Sequence, residues 1–436
     1  MTSLRNLYNT RYFSMVAPDV VQGSEEDLVD VVFYLEEQST ASVQFGLTFS
    51  GVSDADTFPL SVFFQWEDKN FLGNGQTLSA ELNASPDTQS LKLGFAENWF
   101  LGTPLTVGFN LSLAHKRLYA FQDALAPIFS DGDYDDSKGK VPPDPFSTWE
   151  EYMNSTGLDD AFRMEYERWE IGFGTSTGYR WFPAIGTVTL RGGVSFSLVQ
   201  NMYDAVLFRP ADKKIRDNHG KWNWSNSVWT KLSVDDRDLN FDPSTGWFAS
   251  QQLTLYGLIP SLENEYFYRA DTKAEGYLKL LDYPVTENWN LKFVLGGYTG
   301  FSFVEPVGSS IIGDNNLLFI DGMFNGRGWG NLYSSVRGKA LLSHWLELRM
   351  PLAPGVLAAD FFVDAVAVKD SITVLSSLHL NDYYFSFGPS LRFSIPQFPL
   401  RLLFANTFRV QDGKLEWEDG KGPNWKFVLS FNIPNL

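Results

Sequence analysis

The chain has 436 residues, of which 44% are hydrophobic, 16% are aromatic and none is cysteine. No stretch approaches the roughly 20 consecutive apolar residues that a membrane helix needs, so helical membrane spans are excluded. The formal net charge of −18 argues against a nucleic-acid partner, because phosphates are bound by clustered lysine and arginine. The absence of cysteine excludes disulfides, thiolate metal sites and cysteine nucleophiles within these residues.

Residues 1–38 differ in pattern from the remainder. Leu4 to Asn9 favours the end of a helix, Tyr12 to Ala17 a short strand, and Val29 to Glu36 a second strand. This order predicts the remnant of a small α+β module over residues 1–38, followed by a second domain over residues 39–436. The polar start lacks the regions of a signal peptide, so we expect a mature or truncated form of an exported protein.

From about Ser39 onward, apolar residues alternate with polar ones, as in strands that have two different faces. Alternation alone fits a half-exposed soluble sheet equally well. A soluble protein of this length would usually divide into domains of roughly 100–150 residues, yet no linker or composition shift follows residue 38. The repetition therefore predicts an all-β fold, a transmembrane antiparallel β-barrel on the order of 16 strands with its apolar face toward lipid.

The irregular segments fit such a barrel. The acidic stretch 119–165 and the polar stretch 203–245 are predicted to be extracellular loops. The segments Asn70 to Gly75, Trp99 to Pro104 and Asp242 to Gly246 are predicted to be tight turns at the opposite, periplasmic rim.

These turns carry a family resemblance. Asn70-Phe71-Leu72-Gly73-Asn74-Gly75 and the segment Phe95 to Pro104 resemble the first two hairpin turns of the BamA family of outer-membrane assembly proteins. Asp242-Pro243-Ser244-Thr245-Gly246 is similar to a later turn of that family. The order and spacing of the three extend the resemblance over nearly the whole chain. It implies a barrel in the cell outer membrane, with residues 1–38 as the end of the last POTRA domain and further POTRA domains before them.

The resemblance also implies partners and an activity. We expect the protein to fold and insert unfolded outer-membrane β-barrel substrates, to contact outer-membrane lipids, and to bind accessory periplasmic lipoproteins through its POTRA domains. No cofactor, metal or enzymatic activity is expected, because the four histidines are scattered and no catalytic order or metal-ligand spacing stands out. The alternatives are a polypeptide-secreting or solute-conducting pore, and a receptor or adhesin with acidic loops.

Candidate site residues lie between 325 and 370. Strand parity sends Glu347 inward from one strand and Asp360 and Asp364 inward from the next, where each is also explained as an ordinary lumen charge. Asn325 to Gly330 resembles the family's sixth extracellular loop, whose Arg-Gly-aromatic motif folds back into the barrel. The resemblance implies that the loop and barrel are braced by a set of five residues: Arg327, Gly328, Trp329, Glu347 and Asp364.

Two positions depart from the family motifs, and one segment offers a second candidate. Gly326 stands where the loop motif usually has valine, and Val366 stands where the family's Phe-x-Asp-x-Gly pattern has glycine. Val336-Arg337-Gly338 is a second candidate motif, but Lys339 follows it in place of an aromatic residue. We therefore favour Arg327.

The seam between the first barrel strand, about Ala41 to Ser50, and the last, about Trp425 to Ile433, is expected to act as a lateral gate. A glycine in the first strand and a proline near the end of the last are typical of a weakly paired seam. The chain ends in Leu436, where the family usually has an aromatic residue. The gate residues predicted on these two strands are Val43, Phe45, Gly46, Leu47, Phe427, Leu429, Phe431 and Pro434.

Overall fold

Nearly all of the regular structure in the computed structural model is β-strand. The structure describes residues 7, 12–23, 29–49, 60–121, 163–205, 208, 210, 212–239, 242–259, 265–286, 289–310, 312–313, 316–322, 325–332, 336–353, 356–373, 378–393, 400–418, 420 and 422–431. Across these residues, no helix has both the length and the apolar character needed to span a membrane. The helices described there are the single turn Lys213–Asp217 and the 3-10 helices Phe100–Gly102, Gly330–Leu332 and Leu380–Asp382.

Most strands pair with the strands that precede and follow them in the chain, as in a simple meander. In chain order they are β1 Phe13–Gln22, β2 Val29–Glu37, β3 Ala41–Phe49, β4 Leu60–Phe71, β5 Gln76–Ala84, β6 Thr88–Glu97, β7 Leu105–Phe121, β8 Arg163–Trp181, β9 Thr187–Met202, β10 Asn223–Asp235, β11 Gly246–Tyr256, β12 Phe267–Thr286, β13 Trp289–Pro306, β14 Leu318–Phe319, β15 Arg337–Gly338, β16 Ala340–Ala353, β17 Leu357–Lys369, β18 Tyr384–Phe393, β19 Leu400–Gln411, β20 Lys414–Trp417 and β21 Lys426–Phe431.

Strands β3 to β13 and β16 to β21 form one closed antiparallel barrel, in which β21 stands beside β3. β20 and β21 both pair with β19, so they share one position, and the described strands fill sixteen positions around the barrel. β14 and β15 form a separate two-stranded sheet within the connection from β13 to β16. The predicted all-β barrel of about 16 strands is confirmed.

The alternating sequence places apolar side chains outside and small or polar ones inside. Leu82 and Leu91 are register partners, and Leu82 is exposed on the outer surface. On the inner surface Ser112 lies opposite Gly172, where an added Cβ would come within 2.4 Å of the serine Oγ. Small inward residues thus let neighbouring polar side chains fit into the curved interior.

Antiparallel order assigns each connection to one of two rims. The predicted turns Asn70 to Gly75, Trp99 to Pro104 and Asp242 to Gly246 join β4 to β5, β6 to β7 and β10 to β11, so all three lie on the same rim. We call this the short-turn rim and the opposite one the long-loop rim. The predicted acidic loop falls mostly outside the described residues, since β7 extends to Phe121 and β8 begins at Arg163.

The prediction of one loop over residues 203–245 is wrong. The connection at the long-loop rim ends before Asn223, where β10 begins and crosses the barrel to Asp235. The described residues 236–239 and 242–245 then lie at the short-turn rim, between β10 and β11. Polar residues at alternate positions of β10, among them the buried Asn226 and the exposed Thr230, interrupt the apolar alternation by which the other strands are recognised.

The first two strands form a hairpin beside the barrel. β2 matches the predicted strand, whereas β1 runs past Pro18, which a two-stranded edge tolerates because its backbone needs fewer donors. The Tyr12 hydroxyl donates to the carbonyl oxygen of Lys69 at 3.1 Å, which places this hairpin against the short-turn rim. The predicted helix over Leu4 to Asn9 lies outside the described residues except for Leu7, and the division at residue 38 stays a prediction.

The last barrel position is interrupted. β20 pairs with β19 at the long-loop end, and β21 pairs with β19 toward the other end, as the register partners Phe408 with Trp417 and Ala405 with Lys426 show. Between Trp417 and Lys426 the chain leaves the ladder. The strand at the seam therefore consists of two short segments rather than one continuous strand.

Candidate functional site in the barrel lumen

We call the connection from β13 to β16, residues 307–339, loop 6, and its described residues fold back into the barrel. Its β14 segment pairs with β15, and Ile320 and Trp329 are buried. Glu265 fastens another part of the loop, because its carboxylate accepts hydrogen bonds from the Gly313 N–H at 2.5 Å and the Asn316 Nδ2 at 2.6 Å. Burial raises the pKa of Glu265. Loop 6 is thus held inside the barrel at several points.

The tip of loop 6 is a tight, internally bonded turn. Asp321 and Asn325 exchange backbone-to-side-chain hydrogen bonds of 3.1 and 3.2 Å. The Gly322 N–H donates to the Asn325 carbonyl, and the Gly328 N–H donates to the Gly322 carbonyl, each at 3.0 Å. Gly326, with φ +61°, has the left-handed conformation that glycine adopts without steric cost. This turn directs the side chain of the next residue, Arg327, toward the barrel wall.

Arg327 joins two strands of the wall. Its Nε donates to Asp364 Oδ2 at 2.7 Å, one terminal nitrogen contacts Asp364 Oδ1, and the other donates to Glu347 Oε1 at 2.6 Å. Its backbone N–H also donates to Asp364 Oδ2 at 3.2 Å, and its guanidinium lies 4.3 Å from the ring centroid of Phe362. All three charged side chains are buried. A planar guanidinium suits such bidentate contacts better than an ammonium group does.

Glu347 is the centre of a wider group of arginines. Arg401 of β19 donates to both of its carboxylate oxygens, at 2.8 and 2.9 Å, and Arg349 donates to Oε2 at 3.0 Å. One terminal nitrogen of Arg401 also lies 3.3 Å from Asp360 Oδ2. Three guanidinium groups therefore converge on one carboxylate, and the excess positive charge is shared with neighbouring aspartates.

The group extends across the lumen to the opposite wall. Arg392 of β18 lies 3.4 Å from Asp360 Oδ1 and 3.6 Å from Asp242 Oδ1. Asp242 belongs to the short turn between β10 and β11, so this contact reaches from one side of the barrel to the other. We call the whole set the lumen ion network, which contains four arginines and four carboxylates: Asp242, Arg327, Glu347, Arg349, Asp360, Asp364, Arg392 and Arg401.

Next along loop 6, Gly328 and Trp329 contact β18, β19 and β21. An added Cβ at Gly328, whose φ is +97°, would lie 2.8 Å from the Ala405 Cβ. The Trp329 Nε1 donates to the Phe385 carbonyl at 3.0 Å, and the Lys426 ammonium lies 5.9 Å from the centroid of the tryptophan ring. Lys426 and Thr407 both contact the carboxylate of Glu418, at the edge of the interruption between β20 and β21.

Gly326 and Val366, the two residues that depart from the family motifs, lie next to each other. An added Cβ at Gly326 would lie 2.7 Å from Val366 Cγ1 and 2.9 Å from Ile320 Cγ2. Val366 is fully buried and packs with Ile320 and Trp329. The volume that is missing at the loop position is therefore filled by the valine on the strand. The departures do not displace Arg327 from its partners.

The structure brings together all five residues expected to brace loop 6 and barrel. Predicted strand faces are also confirmed: Leu346 and Leu348 are exposed outside, whereas Glu347, Arg349 and Asp364 are buried inside. The alternative motif lies apart from Arg327, since Arg337 belongs to β15 and its guanidinium lies over the ring of Phe319. The part that these residues play stays a prediction.

The predicted gate residues lie elsewhere, on the two strands of the seam. Val43 of β3 and Phe427 of β21 are exposed on the outer surface. Phe45, Gly46 and Leu47 belong to β3, and Leu429 and Phe431 belong to β21, where they pair with β19 as partners of Leu402 and Leu400. Pro434 lies outside the described residues. Lys426, whose ammonium lies over the ring of Trp329, places the seam next to loop 6.

Arg392, Arg401 and Glu265 were not predicted from the sequence, and Asp242 was predicted only as a turn residue. The missing signal was parity on β18 and β19, where Arg392 and Arg401 are register partners and both are buried. Chemically, the network pairs its carboxylates with arginines and forms a fixed ionic brace. Within the described part of the chain, no group of three or more histidine, aspartate or glutamate residues is placed to hold a metal ion.

Comparison with known proteins gives three kinds of match. Residues 70–433 match the Omp85 superfamily domain. The chain is 45% identical over 462 aligned positions to the "Putative outer membrane protein assembly factor" of Treponema pallidum (strain Nichols), an alignment that covers 100% of this chain. The chain spans 53% of that relative's length.

Solved structures are similar in fold at low sequence identity. BamA from Haemophilus ducreyi lacking POTRA domains 1–3 matches with a TM-score of 0.54 and 17% identity, covering 98% of this chain and 77% of that one. CdiB from Acinetobacter baumannii matches with a TM-score of 0.55 and 10% identity, covering 98% and 66%. With the matched domain spanning most of the sequence, this chain belongs to the Omp85 superfamily and forms a β-barrel of the outer membrane.

Proposed function

We propose that this protein folds β-barrel proteins and inserts them into the outer membrane through a lateral gate between β3 and β21. The proposal is carried by the 45% identity, over the whole chain, to a relative described as an outer membrane protein assembly factor. The interrupted last strand supports it, because a seam strand in two short segments offers few continuous ladder hydrogen bonds to hold the barrel closed.

Opening the seam exposes backbone donors and acceptors of β3 to the membrane. Each orphan group costs several kcal/mol in hydrocarbon, so an arriving strand that pairs with the edge is strongly stabilised. The incoming chain then extends the sheet by β-augmentation, and each new hairpin presents the next edge. No nucleotide or cofactor enters this step.

Loop 6 supplies a fixed support beside the strand that moves. Arg327 ties the loop to β16 and β17 through Glu347 and Asp364, and Gly328 and Trp329 press it against β18 and β19. We infer that this brace keeps the C-terminal strands in register while β21 separates from β3. The five bracing residues and the eight gate residues therefore belong to two different working parts.

Residues 1–38 are proposed to be the end of the last POTRA domain. The described hairpin of β1 and β2 contacts the barrel through Tyr12 and Lys69, which suits a module that hands substrates to the short-turn rim. Accessory periplasmic lipoproteins are proposed to bind such modules. Substrates are proposed to be unfolded outer-membrane β-barrel proteins.

The test is an insertion assay with the full-length protein in phospholipid vesicles. A urea-denatured outer-membrane barrel is added, and its folded form is followed by heat-resistant migration on gels and by protease protection. Faster folding than in protein-free vesicles is the expected result. Polypeptide that accumulates inside the vesicles without membrane-inserted product would contradict the proposal and favour a polypeptide-secreting pore, and solute release alone would favour a solute-conducting one.

A further inference from the structure

Two turns of the short-turn rim repeat the same unusual local structure. Phe71-Leu72-Gly73 joins β4 to β5, and Phe100-Leu101-Gly102 joins β6 to β7. Each leucine has φ +55°, and the glycine after it has φ +77° or +70°. In both turns the glycine N–H donates to the carbonyl three residues earlier, Asn70 at 2.8 Å and Trp99 at 3.0 Å. The two turns are therefore the same structure built twice.

Leucine is sterically unfavourable in this left-handed backbone conformation. Its Cβ is crowded when φ is positive, whereas glycine and asparagine adopt such angles readily. Among the described residues, the non-glycine positions with positive φ are Leu72, Leu101 and Asp412. The turns are closed by backbone hydrogen bonds and by the polar side chains of Asn70 and Thr103, so the leucine side chains are not needed to close them. Some other contact must account for their presence.

Both leucine side chains point away from the protein. Leu72 is 79% exposed and Leu101 is 82% exposed, and Trp99 beside the second turn is also exposed. Exposed large apolar residues recur at or beside each of the short turns that the structure describes. Going around the rim, these residues are Leu72, Trp99, Leu101, Phe182, Ile185, Leu239, Tyr283, Val285, Leu352 and Val356.

The distribution of these residues identifies what covers them. A single protein partner would need a patch on one side, whereas this set follows the whole described circumference of the rim. It is also continuous with the outer belt, to which the exposed Leu82, Leu93 and Phe109 of the strands joined by these turns belong. An annular apolar surface that continues a lipid-facing belt matches the edge of a bilayer leaflet.

We propose that the two Phe-Leu-Gly turns are membrane anchors, whose left-handed leucines insert into the phospholipid of the periplasmic leaflet. Each turn holds its leucine at the apex and directs it beyond the ends of the strands. The anchors stand beneath β4 to β7, close to the first strand of the seam. They fix this part of the barrel in the leaflet independently of the assembly activity.

The first experiment uses the absence of native cysteine. Leu72→Cys and Leu101→Cys variants carry an NBD fluorophore, and the protein is reconstituted in vesicles of phosphatidylcholine brominated at defined acyl positions. We expect blue-shifted emission and quenching that is strongest for bromine near the glycerol backbone. Asn74→Cys, an exposed polar position on the first turn, is the matched control and should be quenched less. Quenching of the two leucine positions by aqueous iodide and not by brominated lipid would overturn the proposal.

A second experiment separates anchoring from a role in turn geometry. The Leu72→Asn/Leu101→Asn double variant relieves the backbone strain, so a purely local role predicts a higher melting temperature in vesicles. Anchoring predicts a lower one, because the lipid contact is lost. Asp412→Asn, another left-handed position without an apolar side chain, should leave the melting temperature unchanged. A raised melting temperature in the double variant would overturn the proposal even if the labels were quenched.

Discussion

At the scale of single residues, Arg327 shows why a buried charge is tolerated in the lumen. Its guanidinium meets two carboxylates and an aromatic face, so its charge and its donors are satisfied inside the barrel. Desolvation of such a group is costly, and the cost is offset only when every partner is present. The arginine therefore fixes one position of loop 6 rather than simply adding stability.

Arg327→Lys is expected to release the loop although the charge is retained. An ammonium group cannot bridge Asp364 and Glu347 with the same fork, and each charged hydrogen bond lost costs roughly 1.5–3 kcal/mol. Faster protease cleavage within loop 6 and a lower urea midpoint in vesicles are the expected results. Arg337→Lys, on the neighbouring motif over Phe319, is the matched control and should change both much less. Equal effects of the two substitutions would show that Arg327 contributes no more than Arg337 to holding loop 6 in the barrel.

Gly326 and Val366 are expected to be energetically coupled. Gly326→Ala adds a Cβ that would lie 2.7 Å from Val366 Cγ1, and Val366→Gly leaves a void beside Ile320 and Trp329. The double variant relieves the clash and fills part of the void, so its loss of stability should be smaller than the sum of the two single losses by about 0.5–3 kcal/mol. Urea unfolding of the four proteins measures this difference. Additive losses would mean that the contact does not matter.

Sequence parity predicts individual inward residues well but not their partners. Glu347 and Asp364 follow from alternation on strands whose outer faces are clearly apolar. The contribution of Arg401 depends on which strands adjoin across the lumen, and that depends on closure of the whole barrel. The contact of Gly326 with Val366 is likewise invisible in a linear motif, where the two departures lie far apart.

At the scale of elements, loop 6 and the last strand are neighbours. Trp329 of the loop lies near Lys426, and Lys426 contacts Glu418 across the gap between β20 and β21. Movement of loop 6 would therefore change the contacts of Lys426 and Glu418 at the interruption of the seam strand. The structural link is a chain of three side chains rather than a continuous ladder.

Gly328→Ala is expected to unseat loop 6 from β19. The new Cβ would lie 2.8 Å from the Ala405 Cβ and 3.1 Å from Thr407 Cγ2, at a φ of +97° that alanine adopts poorly. We expect faster protease cleavage within the loop and reduced insertion of substrate barrels. Gly330→Ala, two residues away with no atom within 4 Å of its added Cβ, provides the control and should resemble the wild type. Faster cleavage of loop 6 together with full insertion activity would show that the bracing of loop 6 is not needed for insertion.

Elements were predictable to the extent that their outer faces are apolar. The turns at Asn70, Trp99 and Asp242 follow from local backbone chemistry, and all three lie on one rim of the barrel, as predicted. β10 was missed because polar residues interrupt its apolar alternation. The interruption between β20 and β21 could not be predicted either, since it is defined by the pairing of both segments with β19.

At the scale of the whole molecule, the barrel combines a set of braced strands with a last position that is interrupted. The lumen ion network and loop 6 bind the C-terminal strands β16 to β19 together and reach the turn between β10 and β11. The seam, by contrast, includes a last position made of two short segments. We propose that the braced strands stay together while separation is confined to the seam between β21 and β3.

The most direct test of the proposed gate is a disulfide across the seam of the full-length protein as the cell's only copy. Each variant carries one cysteine at a position from 43 to 47 of β3 and one at a position from 427 to 431 of β21, in a chain without native cysteine. Insertion of substrate barrels is measured before and after reduction of the disulfide. Leu82→Cys with Leu91→Cys, register partners on β5 and β6, is the matched crosslink away from the gate. We expect the seam crosslink to stop insertion, reduction to restore it, and the control crosslink to have no effect. Insertion that continues through a verified seam crosslink would contradict the lateral gate.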